Sequence, residues 1–89
     1  MKYPAVIAVR PHREHTLHIT FDNGEIGLLD MTPYLDFGVF SRIKAPHSFE
    51  KVKVSFDTVE WEAGVDLDPE FIYSRCKKMG LVPKQELGS

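Results

Sequence analysis

Residues 15–28, HTLHITFDNGEIGL, decide the fold, because they contain two short apolar runs joined by a turn signal. From residue 17 to residue 21, apolar side chains alternate with polar ones, which is the period-two pattern of a half-buried strand. Asn23-Gly24 follows, and this dipeptide is the strongest short-range signal for a β-hairpin because both residues tolerate positive φ. The stretch therefore predicts an antiparallel hairpin.

The turn also predicts a register for the two strands. A two-residue turn at Asn23-Gly24 pairs Phe21 with Ile26, and Ile19 with Leu28. The apolar residues of both strands then share one face, and a slip of one residue breaks that agreement. We therefore predict that Ile26 and Leu28 face the core.

Before the hairpin, residues 5–9 are apolar at every position, which predicts a strand that is central or covered on both faces. Residues 10–14 are predicted to form a loop.

After the hairpin, Thr32-Pro33 predicts a helix start with Thr32 as N-cap, and Gly38 ends that helix within about two turns. Pro46 opens another short helix. We expect four apolar residues to anchor these pieces to the sheet: Leu35, Phe40, Ile43 and Phe49.

A second hairpin follows the short helices. Val52 and Val54 alternate with polar residues, and Val59 and Trp61 do the same on the next strand. The turn lies within residues 55–58, where Phe56 fits either the strand or the turn.

The last element is the best marked. Asp68 is a favourable N-cap and Pro69 suits the first helical position. Ile72, Cys76 and Met79 fall at helical spacing, which predicts one buried stripe. Gly80 then provides the stop signal, so we predict a helix that reaches the end of the domain.

Together these elements predict an α+β fold. It contains a small antiparallel β-sheet built from two hairpins plus an N-terminal strand, with short middle helices and a C-terminal helix packed on one face. We assign residues 1–80 to one domain and residues 81–89 to a short C-terminal tail, since 89 residues are too few for two cores. A domain this small buries little surface, so a homodimer is one route to added stability.

Composition limits the function classes. Hydrophobic residues make up 43% and the formal net charge is −2, which gives no general attraction for nucleic acid or an anionic membrane. The single cysteine, Cys76, excludes an internal disulfide and suits a reducing compartment. No apolar run approaches the roughly 18 residues of a membrane span. We therefore expect a cytoplasmic protein.

Residues 61–70, WEAGVDLDPE, resemble the C-terminal signature of the bacterial family called domain of unknown function 2442. Phe21–Glu25 resembles the Phe-Ser-Asp-Gly-Glu hairpin of that family, and residues 38–52 resemble its middle segment. The resemblance covers roughly residues 4 to 73. One departure is Glu62-Ala63, which stands where the family usually has Pro-Asn, so a role of that Asn side chain does not carry over.

The resemblance implies a fold and a protein partner, because family members occur beside small partner genes in pairs that resemble toxin–antitoxin modules. Some members also carry a helix-turn-helix domain after this one. The present chain ends too soon for that domain, so we expect no DNA binding from it. The family as a class implies no enzymatic activity.

The histidines and the cysteine are weak candidates for chemistry. His12, His15 and His18 are spaced by three, but His15 and His18 lie at odd spacing on a strand and point to opposite faces. We therefore predict no metal site and no cofactor. Cys76 lies on the apolar stripe of the last helix without a nearby base, so we predict a core residue rather than a nucleophile.

The most interesting surface lies around the start of the last helix. Five residues define it as a tentative ligand or partner surface: Trp61, Gly64, Asp66, Asp68 and Tyr73. Asp68 has a sufficient role as N-cap, whereas Asp66 has none that the sequence assigns, and Trp61 suits the core better than a stacking platform. Two hypotheses remain open. The first is a non-catalytic protein-interaction module, and the second is a small-ligand-binding or enzymatic domain that uses Trp61, Asp66 and Tyr73.

Overall fold

The computed structural model describes residues 3–81. Its strands, in chain order, are β1 (Val6–His12), β2 (Thr16–Phe21), β3 (Glu25–Asp30), β4 (Val52–Ser55), β5 (Thr58–Trp61), β6 (Val65–Asp66) and β7 (Lys77–Leu81). Its helices are two 3-10 helices (Thr32–Tyr34 and Gly38–Ile43), α1 (Pro46–Phe49) and α2 (Pro69–Arg75). Among these residues, no helix is long and apolar enough to cross a membrane.

The strands form two antiparallel sheets, with strand orders β1-β2-β3-β7 and β4-β5-β6. The α+β class is confirmed, whereas the strands divide into two sheets rather than one. The sheets meet where the turn between β4 and β5 reaches β1, and the Val6 N–H donates to the Asp57 carbonyl at 3.0 Å. Within residues 3–81, no continuous ladder of backbone hydrogen bonds joins the two sheets.

The first hairpin forms where predicted, but its predicted register is wrong by one residue. Ile19 pairs with Gly27 and Thr20 pairs with Ile26. The turn has three residues, with Gly24 at φ 91° and its N–H donating to the Phe21 carbonyl at 3.0 Å. This is the other common hairpin geometry, a tight turn followed by a residue at positive φ. The Asn-Gly dipeptide therefore predicts the hairpin correctly but does not predict its register.

Side-chain packing on the inner face of β3 explains the observed register. Gly27 and Leu29 are buried, while Ile26 and Leu28 are only partly buried. A Cβ on Gly27 would lie 2.6 Å from the Cys76 Sγ, closer than real Cβ atoms approach a neighbour. Gly27 leaves the space that Cys76 fills, and the larger Ile26 and Leu28 side chains therefore face outward.

The last helix begins as predicted and ends earlier. The Asp68 side chain accepts hydrogen bonds from the Glu70 and Phe71 N–H groups, which confirms the N-cap. The helix ends at Arg75, because Cys76 turns to extended backbone and β7 joins β3. The predicted continuation to Gly80 is wrong: the backbone groups of β7 find partners on the open edge of β3 instead.

Two local predictions near the N-terminus are also corrected. β1 continues through Pro11 to His12, so most of the expected loop is strand. β1 lies at the edge of its sheet and Ile7 is 59% exposed, so this strand is not covered on both faces. A bulge at Ile7 shifts the register between Val6 and Ala8. Bulges and prolines are common devices of edge strands.

The middle segment is short and anchored by its apolar side chains. Met31, not Thr32, occupies the N-cap of the first 3-10 helix, because Thr32 already has helical geometry. Pro46 opens α1 as predicted. Three of the four predicted anchors, Leu35, Ile43 and Phe49, are buried, and Phe40 packs partly buried against the core.

One core joins the two sheets and the helices. Its fully buried side chains come from every part of the described chain, among them Leu17, Phe21, Leu29, Met31, Ile43, Val59, Trp61, Val65 and Ile72. The second hairpin forms where its alternation predicted, and its register pairs Val52 with Trp61 and Ser55 with Thr58. The division into residues 1–80 and a tail stays a prediction, and residues 82–89 lie outside the described part.

Candidate functional site

Trp61 ends β5 inside the core rather than on a surface. It is 1% exposed, and its Nε1–H donates to the Phe49 carbonyl oxygen at 2.9 Å. The two rings also touch, with centroids 5.9 Å apart. A buried indole with a satisfied N–H anchors α1 to the second sheet, so its stacking face is not available for a ligand.

Gly64 forms the turn that follows Trp61. Its φ is 87°, and its N–H donates to the Trp61 carbonyl at 2.9 Å. Any residue with a Cβ is strained at this φ, whereas the space itself would admit one, since the Cβ would lie in ordinary contact 3.6 Å from the Arg42 guanidinium. Gly64 therefore has the turn role that the sequence suggested.

The two aspartates have different surroundings. Asp68 caps α2, as described above. Asp66 is exposed on β6 and lies directly opposite Glu60 of β5. Like charges that face each other across strands destabilise a sheet, and within residues 3–81 the Asp66 carboxylate has neither a hydrogen bond nor a salt bridge.

Tyr73 belongs to a different cluster. Its hydroxyl donates to the Glu25 Oε1 at 2.5 Å, and Asn23 donates to the same oxygen at 2.8 Å. The Lys78 ammonium lies 3.7 Å from the centre of the Tyr73 ring and donates to the Tyr73 carbonyl. The hydrogen bonds from Tyr73 and Asn23 lower the pKa of Glu25, and the bond to Glu25 raises the pKa of Tyr73. This cluster ties α2 to the first hairpin.

The five residues of the predicted surface are therefore not one site. Trp61 and Gly64 share a cavity of about 380 Å³ beside β4 and β5, which is lined by Lys51, Val52, Lys53, Glu60, Trp61, Glu62 and Gly64. Asp66 and Tyr73 do not line it. The cavity has two lysines and two glutamates at its walls, which suits a polar ligand of modest size.

The histidines and Cys76 offer little chemistry. Within residues 3–81, no three His, Cys, Asp or Glu side chains are arranged to hold a metal ion. The rings of His12 and His18 are nearly parallel, with centroids 5.4 Å apart. Burial raises the pKa of the Cys76 thiol, which keeps it in the less reactive protonated form.

The family model described as "Protein of unknown function (DUF2442)" matches residues 6–78, from the start of β1 into β7. The chain belongs to the DUF2442 family. The match covers both sheets, so the resemblance of the hairpin and of residues 61–70 extends to the whole fold. No curated protein and no solved structure matches the sequence.

Sequence reasoning missed the most exposed apolar residue that the structure describes. Phe56 is 98% exposed at the tip of the β4–β5 turn, with φ 55°. Ile7, 59% exposed, lies on the bulge of β1. The only signal in the sequence was that Phe56 fitted both strand and turn. Its exposure depends on the pairing of Ser55 with Thr58, which leaves Phe56 and Asp57 as the turn.

A second group that sequence reasoning missed lies on the outer face of the first sheet. Arg10 pairs with His18, His18 with Leu28, and Leu28 with Lys77, so these side chains point to the same side. His12 lies two residues from Arg10 on β1 and therefore shares that side. We call Arg10, His12, His18 and Lys77 the basic face.

Proposed function

We propose that this domain is a non-catalytic protein-interaction module that docks a partner through the apolar tip of the β4–β5 turn. The observation that carries the proposal is Phe56. A two-residue hairpin turn with positive φ at its first central position usually has glycine there, because a Cβ is strained. Phe56 occupies that position and exposes nearly its whole ring to solvent.

Both properties are unfavourable for the isolated domain. A non-glycine residue in the left-handed region costs roughly 1–2 kcal/mol. A ring that is 98% exposed recovers almost nothing by burial. Aromatic side chains, phenylalanine among them, are enriched in protein interfaces relative to the rest of the surface. A partner that buries the Phe56 ring would add the apolar burial that the isolated domain lacks, while the strain of the turn is the same in both states.

Ile7 extends the apolar surface. The Val6 N–H and the Asp57 carbonyl are 3.0 Å apart, and Ile7 and Phe56 are the chain neighbours of these two residues. The two exposed apolar side chains therefore lie at the same end of the molecule. The Val6 N–H is already bonded and Pro11 has no N–H, so the β1 edge is poorly suited to accept another strand. Side-chain contacts are the better mode of docking.

The first partner to test is the product of the gene next to this one in its native host, because family members resemble one half of two-gene modules. A second copy of this chain is the other candidate, since a small domain gains stability from association. Co-purification followed by light scattering distinguishes a hetero-complex from a homodimer.

Two variants of Phe56 make the test specific. Phe56→Ala removes the ring and keeps the strain, whereas Phe56→Gly removes both. We expect each to weaken partner binding by about 30-fold or more, the effect of losing an interface hot spot. The matched control is Phe37→Ala, which removes another exposed ring, 67% accessible, from a position at negative φ.

We expect Phe56→Gly to be at least as stable as the unmodified domain, because the relief of strain offsets the added flexibility of glycine. Unchanged partner affinity in both Phe56 variants would contradict the proposal. So would a monomer from which no partner can be recovered in the native host.

A small-ligand site is the second candidate, and the cavity beside β4 and β5 is the observation that favours it. Its volume of about 380 Å³ falls in the range of small-molecule sites. A thermal-shift screen of polar metabolites tests it, with Lys53→Ala as the variant that should lose the response. A response that survives Lys53→Ala but disappears in Asp66→Ala would instead support a ligand site at the surface predicted from the sequence.

A further inference from the structure

The basic face of the first sheet is an open surface whose charges have no partners. Arg10, His12 and Lys77 are exposed, and His18 is partly buried. Within residues 3–81, none of these four side chains makes a salt bridge or a hydrogen bond to another residue. The structure thus groups two permanent cations and two imidazoles on one side of a sheet without neutralising them.

The nearest acidic group on these strands does not neutralise them either. Asp30 shares the outer side of β3 with Leu28 and accepts a hydrogen bond from the Thr32 N–H at 2.9 Å, but within residues 3–81 it forms no salt bridge with any of the four side chains. Much of the negative charge of the chain lies elsewhere, because residues 57–70 contain six of its 13 acidic residues and no lysine or arginine. The net charge of −2 therefore conceals a local positive surface.

We propose that the basic face binds an acidic segment of a protein partner. Arg10, His18, Leu28 and Lys77 form one row across four strands. Three gaps between strands separate Arg10 from Lys77, which is about 14 Å at the usual strand spacing. Two carboxylates on one chain match this spacing better than one small anion does.

The row also defines the spacing of the ligand. In an extended peptide, side chains at positions i, i+2 and i+4 lie on one side and span about 13 Å. Leu28 is only partly buried between the two cations and offers an apolar contact in the middle. The matching segment has the pattern acidic-x-apolar-x-acidic and lies across the strands.

The same geometry disfavours nucleic acid. Binding to a phosphate backbone relies on many neutralised phosphates, commonly six to ten. The basic face supplies two permanent charges, and the His12 and His18 rings face each other rather than an open space for bases. An acidic polypeptide therefore fits this surface better than a nucleic acid does.

Binding should strengthen as the pH falls. Burial, then His12 and then Arg10 lower the pKa of His18, so this imidazole is mostly neutral near pH 7. A bound carboxylate favours the protonated form, and the complex takes up a proton. The charged or titratable groups that face His18 on this side are Arg10, His12, Lys77 and Asp30, and Asp30 is the only acid among them.

The test uses the full chain and a twelve-residue peptide with the core Glu-Ser-Leu-Ser-Glu, followed by NMR titration at pH 6 and pH 8. We expect tighter binding at pH 6, with amide shifts on β1, β2 and β7. Arg10→Glu and Lys77→Glu should each weaken binding about tenfold or more, because each reverses a charge at one end of the row. Lys51→Glu is the control, since it makes the same charge change at an exposed site outside the basic face.

Three outcomes would overturn the proposal. The first is that the peptide does not bind, and the second is that Lys51→Glu weakens peptide binding as much as Arg10→Glu does. The third is that oligothymidylate binds in place of the peptide with a steep salt dependence, which would identify a nucleic-acid surface. Phe56→Gly should leave peptide binding unchanged, so this proposal and the proposed function can fail separately.

Discussion

Gly27→Ala tests the register of the first hairpin directly. The added Cβ would lie 2.6 Å from the Cys76 Sγ, 3.1 Å from the Cys76 Cβ and 3.4 Å from the Phe21 ring. The optimal separation between such atoms is about 3.5–4.0 Å, so the first two distances are too short. Both neighbours are buried, and the Cys76 N–H is held by the Ile72 carbonyl, so the overlap cannot be relieved freely.

The two registers predict changes of opposite sign in the free energy of unfolding. Overpacking of this kind costs about 1–3 kcal/mol, which lowers the melting temperature of a domain this size by roughly 4–8 °C per kcal/mol. In the register that the sequence favoured, residue 27 would face solvent. Alanine there would stabilise the strand by about 0.4–1 kcal/mol, because it restricts the unfolded chain. Urea denaturation of the two proteins separates these results.

Cys76→Ala provides the matched control. Alone it removes one buried group and costs about 1 kcal/mol. Combined with Gly27→Ala, it removes the closest overlap, so the double variant should be more stable than the sum of the single effects by about 1 kcal/mol or more. A neutral or stabilising Gly27→Ala, or strictly additive effects, would refute the packing argument.

Three further changes test other parts of the fold. Asp68→Ala should cost about 1 kcal/mol by removing the N-cap of α2, measured as a lower urea midpoint, and Asp68→Asn should retain most of the stability. Trp61→Phe should cost about 1–3 kcal/mol, since it leaves the buried Phe49 carbonyl without its donor, and calorimetry would show this as a lower melting temperature. His18→Gln should flatten the fall in stability between pH 7 and pH 5. The lowered folded-state pKa of His18 means that the unfolded chain binds the proton more readily, so acid destabilises the native protein. An unchanged pH profile in that variant would contradict this assignment.

The candidate site was predictable only in part. The sequence assigned the cap role of Asp68 and the turn role of Gly64, because capping and positive φ are local properties. It grouped Tyr73 with Trp61 because they are close in sequence. The structure separates them, since α2 directs Tyr73 toward Glu25 of β3 while Trp61 is buried against Phe49.

The sequence by itself determined the α+β class, the two hairpins and the start of the last helix. Each follows from neighbouring residues: alternation along a strand, a turn dipeptide, or a cap before a proline. The tertiary structure alone decided the register of β3 and the end of α2. Both depend on contacts between residues distant in the chain, because Cys76 fills the space above Gly27 and the edge of β3 pairs with β7. The stretch from residue 15 to residue 28 therefore specifies a hairpin, and the segment that follows α2 specifies which of its faces is buried.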